Sequence, residues 1–332
     1  MERKKILQQF LEKQIQLEPQ LLDYLAESPE KVSFLLEKAI ASGQTFLRLK
    51  DVKDLLQERK EIKILKSRER ERKTQTLDVN SFTQLLLKRY EVLKNLLCRR
   101  IELANLLSIR KVNPTTKIFS VVGMVFEKNR ANSSILLEDP TGTLEISVPE
   151  EKSRLVVEDE VVGVLCKRSG SEIRAERIVF PEVPLRQPKK TSKDVEVIFS
   201  QAPIPTNNYL FVFNGSEDDF VVEEYPTLVD VEGVKILVCK GSWLKFYEEE
   251  FNLSREKTLL ELLKKRHLNP KLHSSSILDD ELFLLSEPPD ILAVKSDSER
   301  TNWLNYKGVT IVVCGKESVR INLRTREIFK KD

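Results

Sequence analysis

The sequence predicts a multidomain α+β protein with a helical N-terminal module, a five-stranded β-barrel and a C-terminal α/β domain. Three observations predict this order. Apolar residues recur at helical spacing near the N-terminus, short β-branched runs alternate with turn signals over residues 116–184, and strand-like and helical patterns mix after residue 194. A chain of 332 residues has room for two or three such domains, each with its own core.

The composition, with 40% apolar and 32% charged residues, is typical of a soluble globular protein. No run approaches the roughly 18 apolar residues of a membrane-spanning helix, and the N-terminus lacks a signal-peptide core. We therefore expect a cytoplasmic protein with no membrane partner. The four cysteines show no paired spacing and are interpreted as reduced core thiols.

Charge is distributed unevenly along the chain. Residues 1–111 carry 24 lysines and arginines against 16 acidic residues, whereas the remainder carries 31 against 36. This asymmetry permits contact between the N-terminal part and nucleic acid without establishing it.

Residues 1–56 predict a bundle of short helices. The first helix has Ile6 and Phe10 on one face, the second begins at Pro19, and the third follows the start signal Ser28-Pro29-Glu30. Each helix has one apolar face that must be buried against the others.

Residues 57–80 are interpreted as a basic linker that is flexible or partly helical. Residues 59–73 contain eight basic and three acidic residues, with few apolar positions to form a core. A solvated charge run is the favoured interpretation. The alternative is a phosphate-contacting segment, because lysine and arginine clusters gain affinity by releasing counterions. Its candidate nucleic-acid contacts are Lys66, Arg68, Arg70, Arg72 and Lys73.

Residues 81–111 predict a helix that packs on the barrel. Ser81 and Gln84 form a capping box at its start. The apolar residues that follow lie mostly along one stripe, which favours core packing over a cofactor site.

Residues 112–184 predict an OB-type barrel of five strands. The strand-like runs are 118–126, 134–138, 143–148, 161–166 and 172–180. Asp139-Pro140-Thr141-Gly142 predicts a hairpin turn between the second and third strands. Gly123 and Gly163 interrupt two runs, where a barrel needs bends or close backbone approach.

The tip of the first barrel hairpin adds two candidate nucleic-acid contacts, Lys128 and Arg130. Single-strand binding also needs aromatic side chains on which bases can stack. The barrel has few aromatic residues and carries the acidic runs Glu138-Asp139 and Glu158-Asp159-Glu160. The sequence therefore favours protein contact over nucleic-acid binding at the barrel.

Prolines make residues 185–193 a stiff linker. Residues 194–332 then predict a sheet with a few helices packed on it. The predicted strands lie near 195–200, 209–213, 219–222, 227–231, 234–239, 291–294, 309–313 and 319–323, and the predicted helices near 243–252 and 255–267.

Four aromatic residues cluster at helical spacing after Gly241, namely Trp243, Phe246, Tyr247 and Phe251, and the first three are candidate partner contacts. Core packing is the favoured interpretation of this cluster. A partner-contacting patch is the alternative, because aromatic residues are enriched where protein partners bind.

Several short motifs occur in a fixed order along this framework: 88–94 in the helix, 122–125, 137–142, 157–164 and 178–184 in the barrel, and 231–237, 261–270 and 289–292 beyond it. With these motifs the chain resembles the small subunit of archaeal family-D DNA polymerase, which is related to the B-subunits of eukaryotic replicative polymerases. The resemblance covers about residues 81–325. It implies a helical module, an OB barrel and a calcineurin-like phosphoesterase domain.

Active members of that family resemble two-metal phosphoesterases and act as 3′–5′ exonucleases, but the chain departs from their motifs. Gln201-Ala202-Pro203 stands where the family has Asp-x-His, Lys240 replaces a histidine, and residues 294–298 replace Gly-His-x-His. Asn214 through Asp219 is what remains of a central motif, and its Asp218 and Asp219 are interpreted as turn residues.

Two adjacent divalent metals need about eight ligands, several of them imidazoles. The chain has only two histidines, His267 within a predicted helix and His273 in the following loop. We therefore expect no catalytic residues, no metal site and no cofactor. The resemblance then implies a shortened, inactivated paralogue with a degenerate phosphoesterase-like domain over residues 194–332.

The favoured hypothesis is a non-catalytic accessory or scaffold subunit of a replicative DNA polymerase. Its expected partner is the catalytic subunit of that polymerase, with DNA as a further candidate. The first alternative is a stand-alone single-stranded-DNA-binding protein built on the OB barrel. The second alternative keeps residual 3′–5′ exonuclease activity.

Overall fold

Two compact units make up the chain. The first comprises Met1–Glu61 with Ile204–Tyr209, and the second comprises residues 62–203 and 210–332. None of the helices in the described part of the chain is long and apolar enough to cross a membrane. The computed structural model describes residues 3–27, 32, 35, 36, 39, 40, 43, 45–49, 62–68, 78–204, 206, 208–215, 220–272 and 280–331.

The first unit is built on short amphipathic helices. Helices α1 (Arg3–Leu11) and α2 (Pro19–Glu27) are accompanied by a parallel pair of two-residue strands, β1 (Gln16–Leu17) and β2 (Phe46–Leu47). The start signal at residues 28–30 lies outside the described residues. The buried apolar residues of this unit are Ile6, Phe10, Ile15, Leu21, Leu25, Val32, Leu35, Ala39 and Leu47.

A strand forms within the segment that the sequence predicts to be a linker. Strand β3 (Lys63–Lys66) pairs antiparallel with a strand of the C-terminal domain, β12 (Thr227–Val231). The expectation of a flexible or helical linker is therefore wrong at these residues. Only Ile62, Ile64 and Leu65 are apolar within the charge run of residues 59–73, so the sequence gives little indication of a strand there.

Helix α3 (Val79–Leu97) packs on the barrel, as the sequence predicts. Its N-cap is Asp78, whose Oδ1 accepts the backbone N–H of Ser81 at 2.7 Å. The predicted capping box at Ser81 is therefore wrong, and the helix is capped three residues earlier. The cluster between helix and barrel contains Tyr90, Leu93, Leu97, Leu103, Val122, Val161 and Val179.

Five strands close into a barrel in the middle of the chain. They are β5 (Ile118–Asn129), β6 (Ser134–Asp139), β7 (Gly142–Ser147), β8 (Val161–Ser169) and β9 (Glu172–Val179). Their order is β5-β6-β7-β9-β8, and β8 pairs back with β5. A short strand, β4 (Leu106–Leu107), is added parallel to β5, and helix α4 (Glu150–Ser153) follows β7. The predicted closed barrel is confirmed, and its order is consistent with an OB-type fold.

The two glycines within the barrel strands lie in crowded surroundings. A Cβ atom on Gly123 would lie 3.0 Å from the backbone oxygen of Glu138, and one on Gly163 would lie 2.5 Å from Cδ1 of the Leu103 side chain. The predicted close backbone approach is confirmed for Gly123, whereas Gly163 makes room for a packed side chain. The 139–142 turn is held by Asp139, whose Oδ1 accepts the N–H of Thr141 at 2.7 Å.

The C-terminal domain contains two sheets. The four-stranded sheet has the order β11-β10-β17-β18, with β10 (Glu196–Ser200), β11 (Tyr209–Val212), β17 (Ser318–Asn322) and β18 (Ile328–Lys331). The six-stranded sheet has the order β15-β16-β14-β13-β12-β3, with β13 (Val234–Cys239), β14 (Ile291–Lys295), β15 (Asn302–Tyr306) and β16 (Val309–Cys314). Strands β13, β14 and β16 run parallel.

Helices α5 (Leu244–Phe251) and α6 (Arg255–Lys265) belong to the buried cluster of the central parallel strands. These strands are mostly apolar and buried, as expected for strands covered on both faces. Strands β15 and β18 and helix α7 (Asp280–Phe283) are additions to the predicted elements. The predicted strand at 219–222 forms only an isolated bridge between Val212 and Val221 in the described residues.

The stretch predicted as a linker, residues 185–193, has no regular secondary structure but lies against the C-terminal domain. Arg186 Nη2 donates to the carbonyl oxygen of Pro289 at 2.6 Å and lies 3.1 Å from Asp290 Oδ1. A Cβ atom on Gly308 would lie 2.5 Å from Arg186 O, so glycine is needed for this close approach.

Candidate functional site

The side chain of Gln201 connects the carboxyl ends of β10, β14 and β16. Ligands in α/β proteins bind outside the carboxyl ends of the strands, which makes this the place to look for a reaction site. Gln201 Nε2 donates to the carbonyl oxygens of Ser296, at 3.1 Å, and Cys314, at 3.0 Å. Asn214 Nδ2 donates to Gln201 Oε1 at 3.1 Å. A neutral amide thus bridges the strand ends.

This arrangement holds strands together and offers no acid, base or nucleophile. Both N–H groups of the Gln201 amide are used by carbonyl oxygens. Within the described part of the chain, no group of three His, Cys, Asp or Glu side chains is placed to hold a metal ion. Asp218, Asp219 and His273 lie outside the described residues.

The end of β13 is held in a similar way. Lys240, where the resemblance leads one to expect a histidine, donates its backbone N–H to Glu223 O at 2.8 Å. Ser242 donates from its backbone N and its Oγ to Glu224 Oε1, each at 2.6 Å. The Glu224 carboxylate therefore acts as a cap for the turn after β13.

His267 has a structural environment. Its side chain is buried, its Nδ1 accepts the backbone N–H of Asn269 at 3.2 Å, and its ring stacks on Phe283 with 6.5 Å between centroids. The sequence places His267 inside a helix, which is wrong, because α6 ends at Lys265 and Arg266 adopts a left-handed conformation with φ of 59°.

Two of the candidate nucleic-acid contacts in the basic segment make contacts within the protein. Lys66 Nζ donates to the carbonyl oxygen of Glu281. The guanidinium carbon of Arg68 lies 4.2 Å from the centroid of the Tyr225 ring. The remaining candidates of this segment, Arg70, Arg72 and Lys73, lie outside the described residues.

The two candidates at the barrel hairpin share one carboxylate. Lys128 Nζ donates to Val156 O at 2.8 Å and lies 3.6 Å from Glu250 Oε1, while Arg130 pairs with the same Glu250 oxygen. Burial lowers the pKa of Lys128. The groove beside them, of about 650 Å³, also includes Glu150 and Glu151 in its lining. A phosphate chain would therefore meet carboxylates as well as cations here.

The aromatic cluster belongs mainly to the core. Tyr247 is fully buried, and its hydroxyl donates to Asn269 Oδ1 at 2.7 Å. Trp243 and Phe246 are half-buried and pack edge-on against Tyr247, with centroid distances of 6.4 and 5.0 Å. The partner-contact alternative is therefore wrong for Tyr247, because its side chain presents no surface. Phe246 keeps an exposed part beside Lys271, whose Nζ lies 5.4 Å from its ring centroid.

A buried ion pair joins the barrel to the C-terminal domain. Lys265 Nζ pairs with Glu160, each side chain being only 2% exposed, and also donates to Leu155 O at 2.5 Å. Burial raises the pKa of Glu160, and the charge of Lys265 opposes that rise. The sequence gives no signal for this pair, because its members are 105 residues apart.

Arg89 of α3 completes this junction. Its side chain is 1% exposed, and its Nη1 donates to Asp159 O of the barrel, at 3.0 Å, and to Pro270 O of the C-terminal domain, at 2.7 Å. Leu272 N donates to Asp159 Oδ2 at 2.9 Å. The helix, the barrel and the C-terminal domain are therefore tied together by buried polar contacts.

No protein-family model matches the chain. Comparison with curated proteins gives 36% identity over 170 residues to the DNA polymerase II small subunit of Methanothermobacter thermautotrophicus, covering 46% of this chain and 34% of that relative. The chain is similar to archaeal DNA polymerase II small subunits. The one from Archaeoglobus fulgidus is 30% identical over 125 residues, covering 37% of this chain and 25% of that relative.

These two polymerase small subunits confirm the family resemblance that the sequence motifs indicate. The alignments span about a third and a quarter of the lengths of the two relatives. Similarity to the polymerase small subunits therefore covers part of those proteins.

Proposed function

We propose that the chain is a non-catalytic accessory or scaffold subunit of a replicative DNA polymerase. Its similarity to two DNA polymerase II small subunits carries this proposal. The partner is the catalytic subunit of that polymerase, to which any polymerase activity belongs.

In this proposal the domain at residues 194–332 is a shortened calcineurin-like phosphoesterase domain that has lost its metal ions and its phosphoesterase activity. The Gln201 bridge supports this view, because an amide held between carbonyl oxygens stands where the family has metal-binding side chains. The parallel strands β14 and β16 keep a largely apolar, buried core. A sheet core can persist after the ligand-bearing loops have changed, since core packing does not depend on them.

A scaffold must present its surfaces in a fixed arrangement. The buried contacts of Arg89 and Lys265 support this role, because they fix the barrel against the C-terminal domain. Rigid presentation lowers the entropic cost of binding a partner.

Affinity purification of the tagged full-length chain from cells of its own source tests the proposal. Mass spectrometry of the recovered proteins is expected to identify a polymerase catalytic subunit. The matched control is the same tag on an unrelated protein of similar charge. Repeated purification without any polymerase or replication protein would reject the accessory role.

A further inference from the structure

An apolar groove of about 180 Å³ lies between α3 and the barrel, and we call it the α3 groove. Its lining includes Leu86, Leu87 and Tyr90 from the helix and Met124 from β5. A cavity of roughly 150 Å³ admits a benzene-sized group. The α3 groove therefore has room for one large apolar side chain.

Two large apolar residues are exposed, one at the groove and one two residues beyond Met124 along β5. Val125 is fully buried in the barrel core, whereas Met124 before it lines the groove and Phe126 after it lies at a β-bulge of β5. Phe126 is 61% exposed, and Leu87 at the groove is 39% exposed. Large apolar side chains exposed next to one another mark surfaces that bind partners.

Carboxylates flank this apolar surface. Glu138 lies directly opposite Met124 in the strand register and is exposed. Asp139 follows it, and its carboxylate accepts hydrogen bonds from the neutral donors Thr141 and Ile109 N. The described residues that line the α3 groove include two carboxylates and no lysine or arginine.

Lys94, on the same helix as Tyr90, is already engaged. Lys94 Nζ lies 5.1 Å from the centroid of the Tyr90 ring and 3.5 Å from Glu91 Oε1. The pKa of Tyr90 is raised, first by burial and then by the negative charges of Asp139 and Glu91. Glu138 and Asp139 therefore give the lining of the groove negative charge, which disfavours a phosphate backbone and favours lysine or arginine.

We propose that the α3 groove is a docking site for a cationic amphipathic segment of a protein partner. One apolar side chain of that segment enters the groove, and a lysine or arginine close to it lies against Glu138. The inference rests on the proposed function, because an accessory subunit acts through a bound protein partner.

A peptide selection on the full-length chain tests the docking site. A displayed library of random 16-residue peptides is selected on the wild-type protein, and the strongest peptide is labelled and titrated by fluorescence anisotropy. Selected peptides are expected to share an apolar residue close to a lysine or arginine. Apolar anchors in pockets dominate binding, and complementary charge supplies specificity.

Two substitutions separate the apolar and charged parts of the site. Leu87→Glu and Glu138→Lys are each expected to weaken binding about tenfold, a change of about 1.4 kcal/mol. Glu176→Lys makes the same charge change at an exposed position of β9 and is expected to leave affinity unchanged. A peptide whose basic residue is replaced by glutamate should bind Glu138→Lys better than wild type.

Fold retention is checked by thermal unfolding, and Glu138→Gln provides a milder variant that is expected to weaken binding by a smaller factor. Selected peptides without basic residues, or equal binding to wild type and both variants, would overturn the docking site. The proposed function is decided separately by co-purification of the wild-type chain with a polymerase. Failure of one therefore does not imply failure of the other.

Discussion

At the scale of single residues, Gln201 shows how one side chain can hold several strand ends. Its amide supplies hydrogen bonds to the carbonyl oxygens of Ser296 and Cys314. Gln201→Ala would leave these groups without their donors, so we expect the free energy of unfolding to fall by about 1–3 kcal/mol. Urea denaturation measures this loss. Gln84→Ala on an exposed position of α3 is the control, with an expected change within about 0.5 kcal/mol.

The ion pair between Lys265 and Glu160 makes a second residue-level prediction. Lys265→Met leaves Glu160 buried without its closest cation, and such a loss costs about 3–5 kcal/mol. Burial already raises the pKa of Glu160, and removing Lys265 raises it further. The native variant then keeps a proton that the unfolded chain releases above about pH 4.3, so its stability falls as pH rises.

Unfolding at about pH 5 and about pH 8 measures this dependence. The variant is expected to lose more stability than wild type at the higher pH. Glu160→Gln combined with Lys265→Met removes the titrating group and should abolish the difference. Equal pH profiles for wild type and Lys265→Met would show that Lys128, the other cation near Glu160, compensates fully.

At the scale of elements, the local sequence pattern was sufficient to predict the strands of the barrel. It was not sufficient to predict the edge strands of the C-terminal sheets. The barrel strands end at clear turn signals, and their bounds differ from the predicted runs by a few residues. Strand β15 has asparagine at its first and fourth positions, lacks regular polar–apolar alternation and is only partly buried, so its sequence pattern is weak. Strand β3 is hidden in a charge run, and its partner Val229 is far along the chain.

Strand β3 is expected to be the least protected strand of its sheet. It pairs on one side only, and Ile64 and Leu65 are 54% and 43% exposed. Few buried contacts mean low local stability, so its amides should exchange with solvent faster than those of β13, which lies in the middle of the sheet. Hydrogen–deuterium exchange with mass spectrometry compares the two strands. Equal protection would contradict this expectation.

At the scale of the whole molecule, the fold was largely predictable and the candidate site was not. The order of helices, barrel and mixed domain follows from periodicity and turn residues, which are local. The departures from the metal-binding motifs of the polymerase small-subunit family were also visible in the sequence. The bridge from Gln201 to Cys314 and the pair of Lys265 with Glu160 depend on residues brought together only by folding.

Binding of single-stranded DNA by the full-length chain is expected to be weak. Lys66, Arg68, Lys128 and Arg130 make contacts within the protein, and the barrel surface carries carboxylates. Affinity should therefore stay in the non-specific range of about 10⁻⁴–10⁻⁶ M and fall steeply with salt. Anisotropy of a labelled oligonucleotide at moderate salt measures it. Nanomolar binding would favour the stand-alone DNA-binding alternative.

Degradation of single-stranded 3′ ends is expected to be absent when Mn²⁺ is added. The strand ends where the family binds metals are joined by the Gln201 amide, and two-metal chemistry needs carboxylates and imidazoles there. Gel analysis of a 5′-labelled oligonucleotide is the assay, with an authentic exonuclease as positive control. Shortening that depends on Mn²⁺ would support the residual exonuclease alternative.

The buried polar junction of Arg89, Glu160 and Lys265 has a practical consequence for work on this protein. Cutting the chain between residues 184 and 194 would separate Glu160 from Lys265. The N-terminal fragment would then carry the carboxylate without its cation, and the C-terminal fragment would carry the ammonium group without its anion. Water would enter both newly cut faces. We expect neither fragment to fold stably in solution. The surfaces of the protein are therefore better mapped by single substitutions than by truncation.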